Sequence, residues 1–178
     1  MNVYGGTFSG NRASRAGVFY NYRVLNIYNA KLSDNYASTY GGAIYMPAST
    51  GAFLYIGQQA EGVTSSVTFD SNTAADNGGA IYASNVVDVP ANALLNVYGG
   101  NFVDNSAENG GAITSSSAVI TIDKSQFTSN TAKSNGAAVY VSGKSSKENA
   151  IEVTASETSF TSNTANLNGG AIYLKGEA

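Results

Sequence analysis

Three aspartates, Asp34, Asp70 and Asp104, form the best candidate for a catalytic or cation-binding cluster in this sequence. Polysaccharide lyases need clustered carboxylates for Ca²⁺ with a nearby Arg or Lys as base, and glycoside hydrolases need a carboxylate pair. Each aspartate follows an apolar residue that recurs along the sequence, but at different distances. Asp70 comes one residue after it, whereas Asp34 and Asp104 come two residues after it. All three arginines lie within positions 12–23, away from most acids. The spacing therefore predicts no catalytic residue and no metal ligand.

The composition excludes several further kinds of site. The 178 residues contain no His and no Cys, so the commonest general base, the commonest transition-metal ligand and all thiol chemistry are missing. The net charge of −3 and the scattered Lys and Arg residues give no footprint for nucleic acid. No apolar run approaches the roughly 18 residues of a membrane helix. We expect no enzyme activity, no cofactor, no nucleic-acid partner and no membrane insertion by this segment.

Tyrosine is the one repeated residue type without a compulsory structural reason. Five tyrosines follow an apolar residue at matching positions and form a candidate binding ladder: Tyr20, Tyr45, Tyr82, Tyr140 and Tyr173. Thr114 interrupts this ladder, and Tyr4, Tyr28 and Tyr98 form a shorter second row. Outward-facing aromatic rings can stack on sugars or bury against a partner protein. Packing between neighbouring strands is the alternative interpretation, in which the rings have no ligand.

The elements that would position these residues come from an internal repeat. Its first half is Phe-x-x-Asn-x-Ala, with the Phe or Leu positions Phe8, Leu32, Phe69, Phe102, Phe127 and Phe160. Eight or nine residues later comes Gly-Gly-Ala-Ile-Tyr or a variant of it, as in 41–45, 78–82 and 169–173. A Leu-Asn-Val-Tyr element precedes some of the Phe positions. Six matched pairs in order indicate a solenoid rather than a globular domain.

Each repeat contains three short apolar–polar alternations bounded by Gly, Asn or Asp, which indicates three strands per coil. The sequence thus predicts an all-β, right-handed parallel β-helix of about six coils, as a single domain over residues 1–178. Stacked strands about 4.8 Å apart would give a rod about 29 Å long. The Phe column and a second column of Ile-type residues should face inward. The motif Asn residues should lie at a turn, where Asn tolerates left-handed backbone and its amide can bond a neighbouring coil.

The paired Phe-x-x-Asn and Gly-Gly-Ala-Ile motifs resemble the repeats of the chlamydial polymorphic outer membrane proteins. Those proteins are autotransporters whose β-helical passenger is displayed on the cell surface and acts as an adhesin. The resemblance implies an extracellular or cell-surface adhesive or scaffold module. Its expected partner is a host-cell or neighbouring-cell surface protein or glycan. The chain lacks the Cys residues common in that family, and we expect neither a secretion signal nor an outer-membrane barrel within these 178 residues.

Two alternative functions are also open. A β-helix can bind or process polysaccharide, and flat Thr arrays on solenoids can bind ice. The residues after each motif Asn read Arg12, Tyr36, Thr73, Ser106, Thr131 and Thr164. Only half of this column is Thr and two members are bulky, which is a poor match to an ice lattice.

Insertions and ends complete the sequence evidence. Extra residues at 46–52, 83–93 and 142–150 share one corner of the predicted coil, and 57–66 lies at the next. Insertions that share a corner often build a binding face, and the equal alternative is tolerated variation of surface loops. Neither end of the sequence resembles a capping coil. We therefore expect either a segment of a longer solenoid or a subunit that associates end to end.

Overall fold

The computed structural model describes residues 1–49, 51–57, 65–84, 95–116, 120–144 and 153–177. Within these ranges the chain forms 22 strands and no helix. The strands are grouped into three parallel sheets, one of ten strands and two of six. The structure thus confirms the predicted all-β parallel β-helix with three strand positions per coil. Of the predicted insertions, 57–66, 83–93 and 142–150 lie largely outside the described residues, whereas 46–52 lies inside them except for position 50.

Sheet A carries the Leu-Asn-Val-Tyr and Phe motifs. Its strands are β1 (Asn2–Ser9), β4 (Val24–Ser33), β7 (Phe53–Ile56), β8 (Val67–Asp70), β11 (Leu95–Tyr98), β12 (Gly100–Val103), β15 (Ile120–Asp123), β16 (Gln126–Thr128), β19 (Val153–Ser156) and β20 (Ser159–Thr161). Both motifs lie on one continuous strand in the first two coils, whereas each later coil divides them between two strands. Because β4 pairs with both β7 and β8, the two halves remain one sheet.

Sheets B and C complete each coil. Sheet B contains β2 (Arg12–Arg15), β5 (Tyr36–Tyr40), β9 (Thr73–Ala74), β13 (Ser106–Ala107), β17 (Thr131–Ala132) and β21 (Thr164–Ala165). Sheet C contains β3 (Phe19–Tyr20), β6 (Ile44–Met46), β10 (Ile81–Ser84), β14 (Ile113–Ser116), β18 (Val139–Lys144) and β22 (Ile172–Glu177). Equivalent residues of successive repeats pair directly, as Phe102 does with Phe69 and Phe127.

Three bends of each coil, which we call the first, second and third corners, have a residue with left-handed backbone (φ between 44° and 115°). The first corner, inside sheet A, has Gly5, Asn29, Gly57, Gly99, Lys124 and Glu157. The second, between sheets A and B, has Gly10, Asp34, Ser71, Asp104, Ser129 and Ser162. The third, between sheets B and C, has Ala16, Gly41, Gly78, Gly110, Gly136 and Gly169. L-residues other than Gly adopt this conformation at a cost, so these positions fix where the chain bends.

The core lies between the three sheets, as the alternation predicts. In the Phe column, Phe69, Phe102 and Phe127 are fully buried, and their rings stack 4.7 and 4.6 Å apart. In the Ile column, Ile44, Ile81, Ile113 and Val139 are fully buried, whereas the terminal members Phe19 and Ile172 are partly buried. Both predicted inward columns are thus confirmed, and the burial of apolar surface stabilises the rod.

The motif Asn residues form a hydrogen-bonded ladder along the rod, which we call the inner ladder: Asn11, Asn35, Asn72, Asn105, Asn130 and Asn163. Its four central members are buried, whereas Asn11 is exposed and Asn163 is partly buried. The backbone N–H and one Nδ2–H of Asn72 both donate to Oδ1 of Asn105, each at 3.0 Å. The other Nδ2–H donates to the carbonyl of Leu32, at 2.9 Å. The predicted bonding between coils is confirmed. The left-handed conformation, however, falls on the residue before each Asn, which leaves the amide free to point inward.

Candidate functional site

The three candidate acids do not meet at one point. Asp70 pairs in register with Ser33 and Val103, whereas Asp34 and Asp104 lie one position later, at the second corner. Within the described residues, no group of three His, Cys, Asp or Glu side chains could hold a metal ion. The aspartates follow the Phe column at unequal distances in the sequence, and they therefore occupy different positions in the coil.

Asp70 instead forms an ion pair at the surface. Its Oδ2 lies 2.9 Å from Nζ of Lys31, and its Oδ1 accepts a hydrogen bond from Ser71 Oγ at 2.9 Å. The Lys31 ammonium, with help from Ser71, holds the pKa of the Asp70 carboxyl below its usual value. This arrangement keeps Asp70 ionised and engaged, and an exposed pair of this kind contributes little to stability.

The predicted tyrosine ladder lies on the outer side of sheet C and divides into two parts. Tyr20, Tyr45 and Tyr82 occupy the first three coils, with ring centroids 5.0 Å (Tyr20–Tyr45) and 5.4 Å (Tyr45–Tyr82) apart. Tyr140 and Tyr173 stack 5.7 Å apart in the last two coils. Between the two parts, Thr114 is buried and donates to the Asn109 carbonyl. Packing between strands is therefore present, and the ligand-binding role of the ladder stays a prediction.

The first part of the ladder belongs to a larger cluster that the sequence did not reveal. Tyr40, at the end of β5, stacks on Tyr45 and Tyr82 with centroids 5.9 and 4.8 Å away. Tyr22 follows β3, and its ring lies 5.1 Å from that of Tyr20. Together with Arg15, these five tyrosines form what we call the tyrosine–arginine patch, at the corner between sheets B and C: Tyr20, Tyr22, Tyr40, Tyr45 and Tyr82.

Arg15 is the only cation that lies over these rings in the described part of the chain. Its guanidinium carbon is 5.7 Å from the Tyr45 centroid and 6.0 Å from the Tyr40 centroid. Such a cation is attracted by the negative faces of the rings, although water weakens the attraction at an exposed site. Arg15 also bonds the Tyr20 hydroxyl, which raises the pKa of the guanidinium further. The cation thus joins the exposed and the buried members of the patch.

The patch has an exposed rim and a covered centre. Tyr20 and Tyr22 are 43% and 56% exposed, whereas Tyr45 beneath them is only 9% exposed. Burial raises the pKa values of Tyr45 and Tyr82. The Tyr22 hydroxyl donates to that of Tyr20, and this bond, followed by the one from Arg15, lowers the pKa of Tyr20. The patch therefore offers two accessible rings on a rigid aromatic base.

A single substitution in the repeat explains why the patch is confined to the first coils. Tyr40 occupies the position before the Gly pair, and the equivalent residues in coils 3–6 are Asn77, Asn109, Asn135 and Asn168. These asparagines form a second, outer ladder of amide hydrogen bonds, such as Asn135 Nδ2 to Asn109 Oδ1 at 3.0 Å. Tyr40 ends that ladder and allows the rings of sheet C to pack around it. The sequence signal that could have indicated this cluster is the Tyr that replaces Asn before the Gly pair in the second coil.

The candidate ice-binding column lies in register on sheet B. Arg12, Tyr36, Thr73, Ser106, Thr131 and Thr164 pair in that order. The Arg12 guanidinium lies over the Tyr36 ring, 4.7 Å from its centroid. The first two coils therefore present a stacked ring and a cation where a flat array would need small hydroxyl side chains.

The fold and the patch together define a parallel β-helix with aromatic residues concentrated on its outer side. The Chlamydia polymorphic membrane protein repeat matches this chain three times, at residues 66–84, 124–142 and 157–175. Each match spans the Phe strand, the inner-ladder Asn and the Gly-Gly-Ala-Ile-type strand of one coil, in coils 3, 5 and 6. Three coils of this β-helical chain are accordingly similar to polymorphic membrane protein repeats. No curated protein and no solved structure matches it.

One further observation concerns the membrane. Across the residues that the structure describes, no helix has the length and apolar character needed to cross a bilayer.

Proposed function

We propose that this chain is a non-catalytic adhesive module at a cell surface, and that it contacts a protein on another cell through the tyrosine–arginine patch. The Chlamydia polymorphic membrane protein repeats support the surface location, because proteins of that family are outer-membrane or surface proteins. The observation that carries the proposal is the combination of two exposed tyrosines with Arg15 above a covered aromatic base.

The chemistry of the patch suits a protein partner. Tyr and Arg are enriched where protein interfaces concentrate their binding energy, especially when the central contacts exclude water. Tyr20 and Tyr22 can lose exposed area to a partner at little conformational cost, because a tyrosine has few rotatable bonds and Tyr45 already supports the Tyr20 ring. The three candidate acids lie at separate positions of the coil, whereas the patch brings five rings and a cation together, so the patch is the better-supported functional surface.

A cell-attachment assay tests the proposal. Fluorescent beads coated with the protein should attach to cultured epithelial cells. The double variant Tyr20→Ser/Tyr22→Ser should weaken attachment at least about tenfold, the loss expected when a central interface contact is removed. Tyr4→Ser is the matched control, since Tyr4 is 78% exposed and lies on sheet A. Equal attachment of all three proteins, with unchanged thermal unfolding, would contradict the patch as the adhesive surface.

A further inference from the structure

The outer face of sheet A contains a groove that is separate from the tyrosine–arginine patch. It has a volume of about 310 Å³ and crosses coils 3, 4 and 5, with Tyr55, Gly57, Asn96, Tyr98, Thr121 and Asp123 among its lining residues. This volume falls near the lower end of the roughly 300–1,000 Å³ typical of small-molecule sites. The groove is therefore large enough for a small ligand, or for one unit of a longer one.

The groove exists because Gly57 interrupts a row of side chains. Tyr4 and Tyr28 stack 5.2 Å apart in the first two coils. By the strand register, Gly57 takes the next place in that row and Tyr98 the one after it. Gly57 has a φ of 74°, and a Cβ there would lie 1.8 Å from the Tyr98 carbonyl oxygen. No other residue fits at this position, so the gap in the row is built into the backbone.

Two aromatic rings line the groove in fixed orientations. Tyr55 is 38% exposed, and its ring stacks on that of Phe53, with the centroids 6.4 Å apart. Tyr98 is held by Lys124, whose Nζ lies 5.4 Å from the ring centroid and donates to the hydroxyl at 3.2 Å. Because both rings are already ordered, a ligand that stacks on them loses little binding energy to side-chain ordering.

The polar groups of the groove are available for hydrogen bonds. The Asn96 amide and the Thr121 hydroxyl have no hydrogen-bond partner within the described residues. In the strand register Asn96 lies beside Tyr55, and Thr121 lies beside Asn96 in the next coil. Asp123 accepts a hydrogen bond from Ser156 through one carboxylate oxygen, so its other oxygen can accept another. An amide, a hydroxyl and a carboxylate beside flat aromatic faces suit a ligand with several adjacent hydroxyl groups on an apolar ring face.

Two observations narrow the class of ligand. The strands under the groove, β7, β11 and β15, are each paired on both sides, so an extended peptide has no free strand edge to join. Among the lining residues Asp123 is the charged one, and the nearby Lys124 ammonium is already engaged with Tyr98, so the groove favours a neutral ligand over an anionic one. We propose that this groove binds a neutral pyranose unit of a glycan, with its ring stacked on Tyr55 or Tyr98 and its hydroxyls bonded to Asn96, Thr121 and Asp123. This site is independent of the proposed adhesive patch.

A glycan array printed with neutral hexose and N-acetylhexosamine oligosaccharides, and with sialylated and sulfated glycans as a charged arm, tests the proposal. The protein should bind members of the neutral arm, and saturation-transfer NMR with the best of them should show contact with aromatic protons. Tyr55→Ala and Asn96→Ala should each weaken that binding about tenfold, the loss expected for one aromatic or hydrogen-bonded contact.

Tyr4→Ala is the matched control, because Tyr4 is an exposed tyrosine on the same sheet outside the groove. It should bind the neutral glycan as the unmodified protein does. Circular dichroism and thermal unfolding of each variant show whether the fold is intact. The proposal is overturned by absence of binding to any neutral glycan, by preference for the charged arm, or by equal affinity of the groove variants and Tyr4→Ala. Loss of glycan binding in the groove variants with cell attachment retained would separate this site from the patch.

Discussion

At the scale of single residues, asparagine has two different environments in the same coil. Asn105 belongs to the inner ladder and is fully buried, and its amide bonds Asn130 Oδ1 and the Phe69 carbonyl. Asn109 belongs to the outer ladder and is half-buried, and its amide bonds Asn77 Oδ1. Removal of the Asn105 amide leaves buried donors and acceptors without partners, whereas the partners of Asn109 can form hydrogen bonds with water instead. The same residue type should therefore matter very differently at the two positions.

We expect Asn105→Ala to lower the free energy of unfolding by about 3 kcal/mol or more, because both donors of Asn72 lose their shared acceptor inside the core. Asn109→Ala should lower it by about 1 kcal/mol or less. Urea denaturation of the two variants and the unmodified protein measures both values. Equal losses would show that burial does not distinguish the ladders.

At the scale of elements, the corners determine the coil more than the strands do. The strands of sheet B are mostly two residues long, yet each pairs with its equivalent in the next coil, with one register shift between β2 and β5. The left-handed residues at the second corner fix where each sheet B strand begins, and five of the six are Asp or Ser rather than Gly. Each of those five residues adopts a conformation that costs about 1–2 kcal/mol outside Gly. The corners therefore store strain that the ladders and the core offset.

Ser129 lies at the second corner of coil 5 with a φ of 56°. We expect Ser129→Gly to raise the free energy of unfolding by about 0.5–1 kcal/mol, because relief of the left-handed strain exceeds the added flexibility of the unfolded chain. Ser106→Gly, in strand β13, is the matched control and should lower it by about 0.5–1 kcal/mol. Chemical denaturation distinguishes the two signs, and a loss of stability in both variants would contradict the assignment of strain to this corner.

The sequence predicted the elements well, because repetition reports directly on pairing. Equivalent positions such as Phe69, Phe102 and Phe127 had to stack once the chain coiled, and the structure confirms both inward columns. Features of single coils were harder to predict. Tyr40 and Gly57 depart from the repeat, and their consequences, the patch and the groove, depend on what the neighbouring coils place beside them. A periodic pattern identifies what the coils share and gives little information on contacts that occur once.

At the scale of the whole molecule, the inner ladder has a direction. Each Asn donates to the following coil, from Asn11 towards Asn163. In the described residues, Oδ1 of Asn11 accepts no hydrogen bond, and the backbone N–H of Asn163 donates none. End-to-end association of the 178-residue polypeptide stays a prediction. The ladder specifies its geometry, because Asn163 of one copy would donate to Asn11 of the next.

Substitution of Ile172 tests this association. In sheet C the equivalent Val139 donates its N–H to the Ala171 carbonyl of the next coil, at 3.0 Å. Ile172→Pro removes the corresponding donor, so it should abolish any rods seen by electron microscopy at high concentration. Ile172→Val keeps the donor and should form rods as the unmodified protein does. Protein that stays monomeric at every concentration would rule out self-stacking.

The inner ladder also sets the steps by which such a protein can change length during evolution. Successive ladder asparagines are separated by 24, 37, 33, 25 and 33 residues, and the hydrogen bonds between them are the same in every case. A duplication or deletion that runs from one Asn to the next leaves every donor with an acceptor, whatever the length of the loops inside it. A deletion that removes a ladder Asn or part of a strand, without removing a whole coil, misaligns the amides of the neighbouring coils. Gene rearrangement should therefore preserve whole coils, while the loops between strands vary freely in length and sequence.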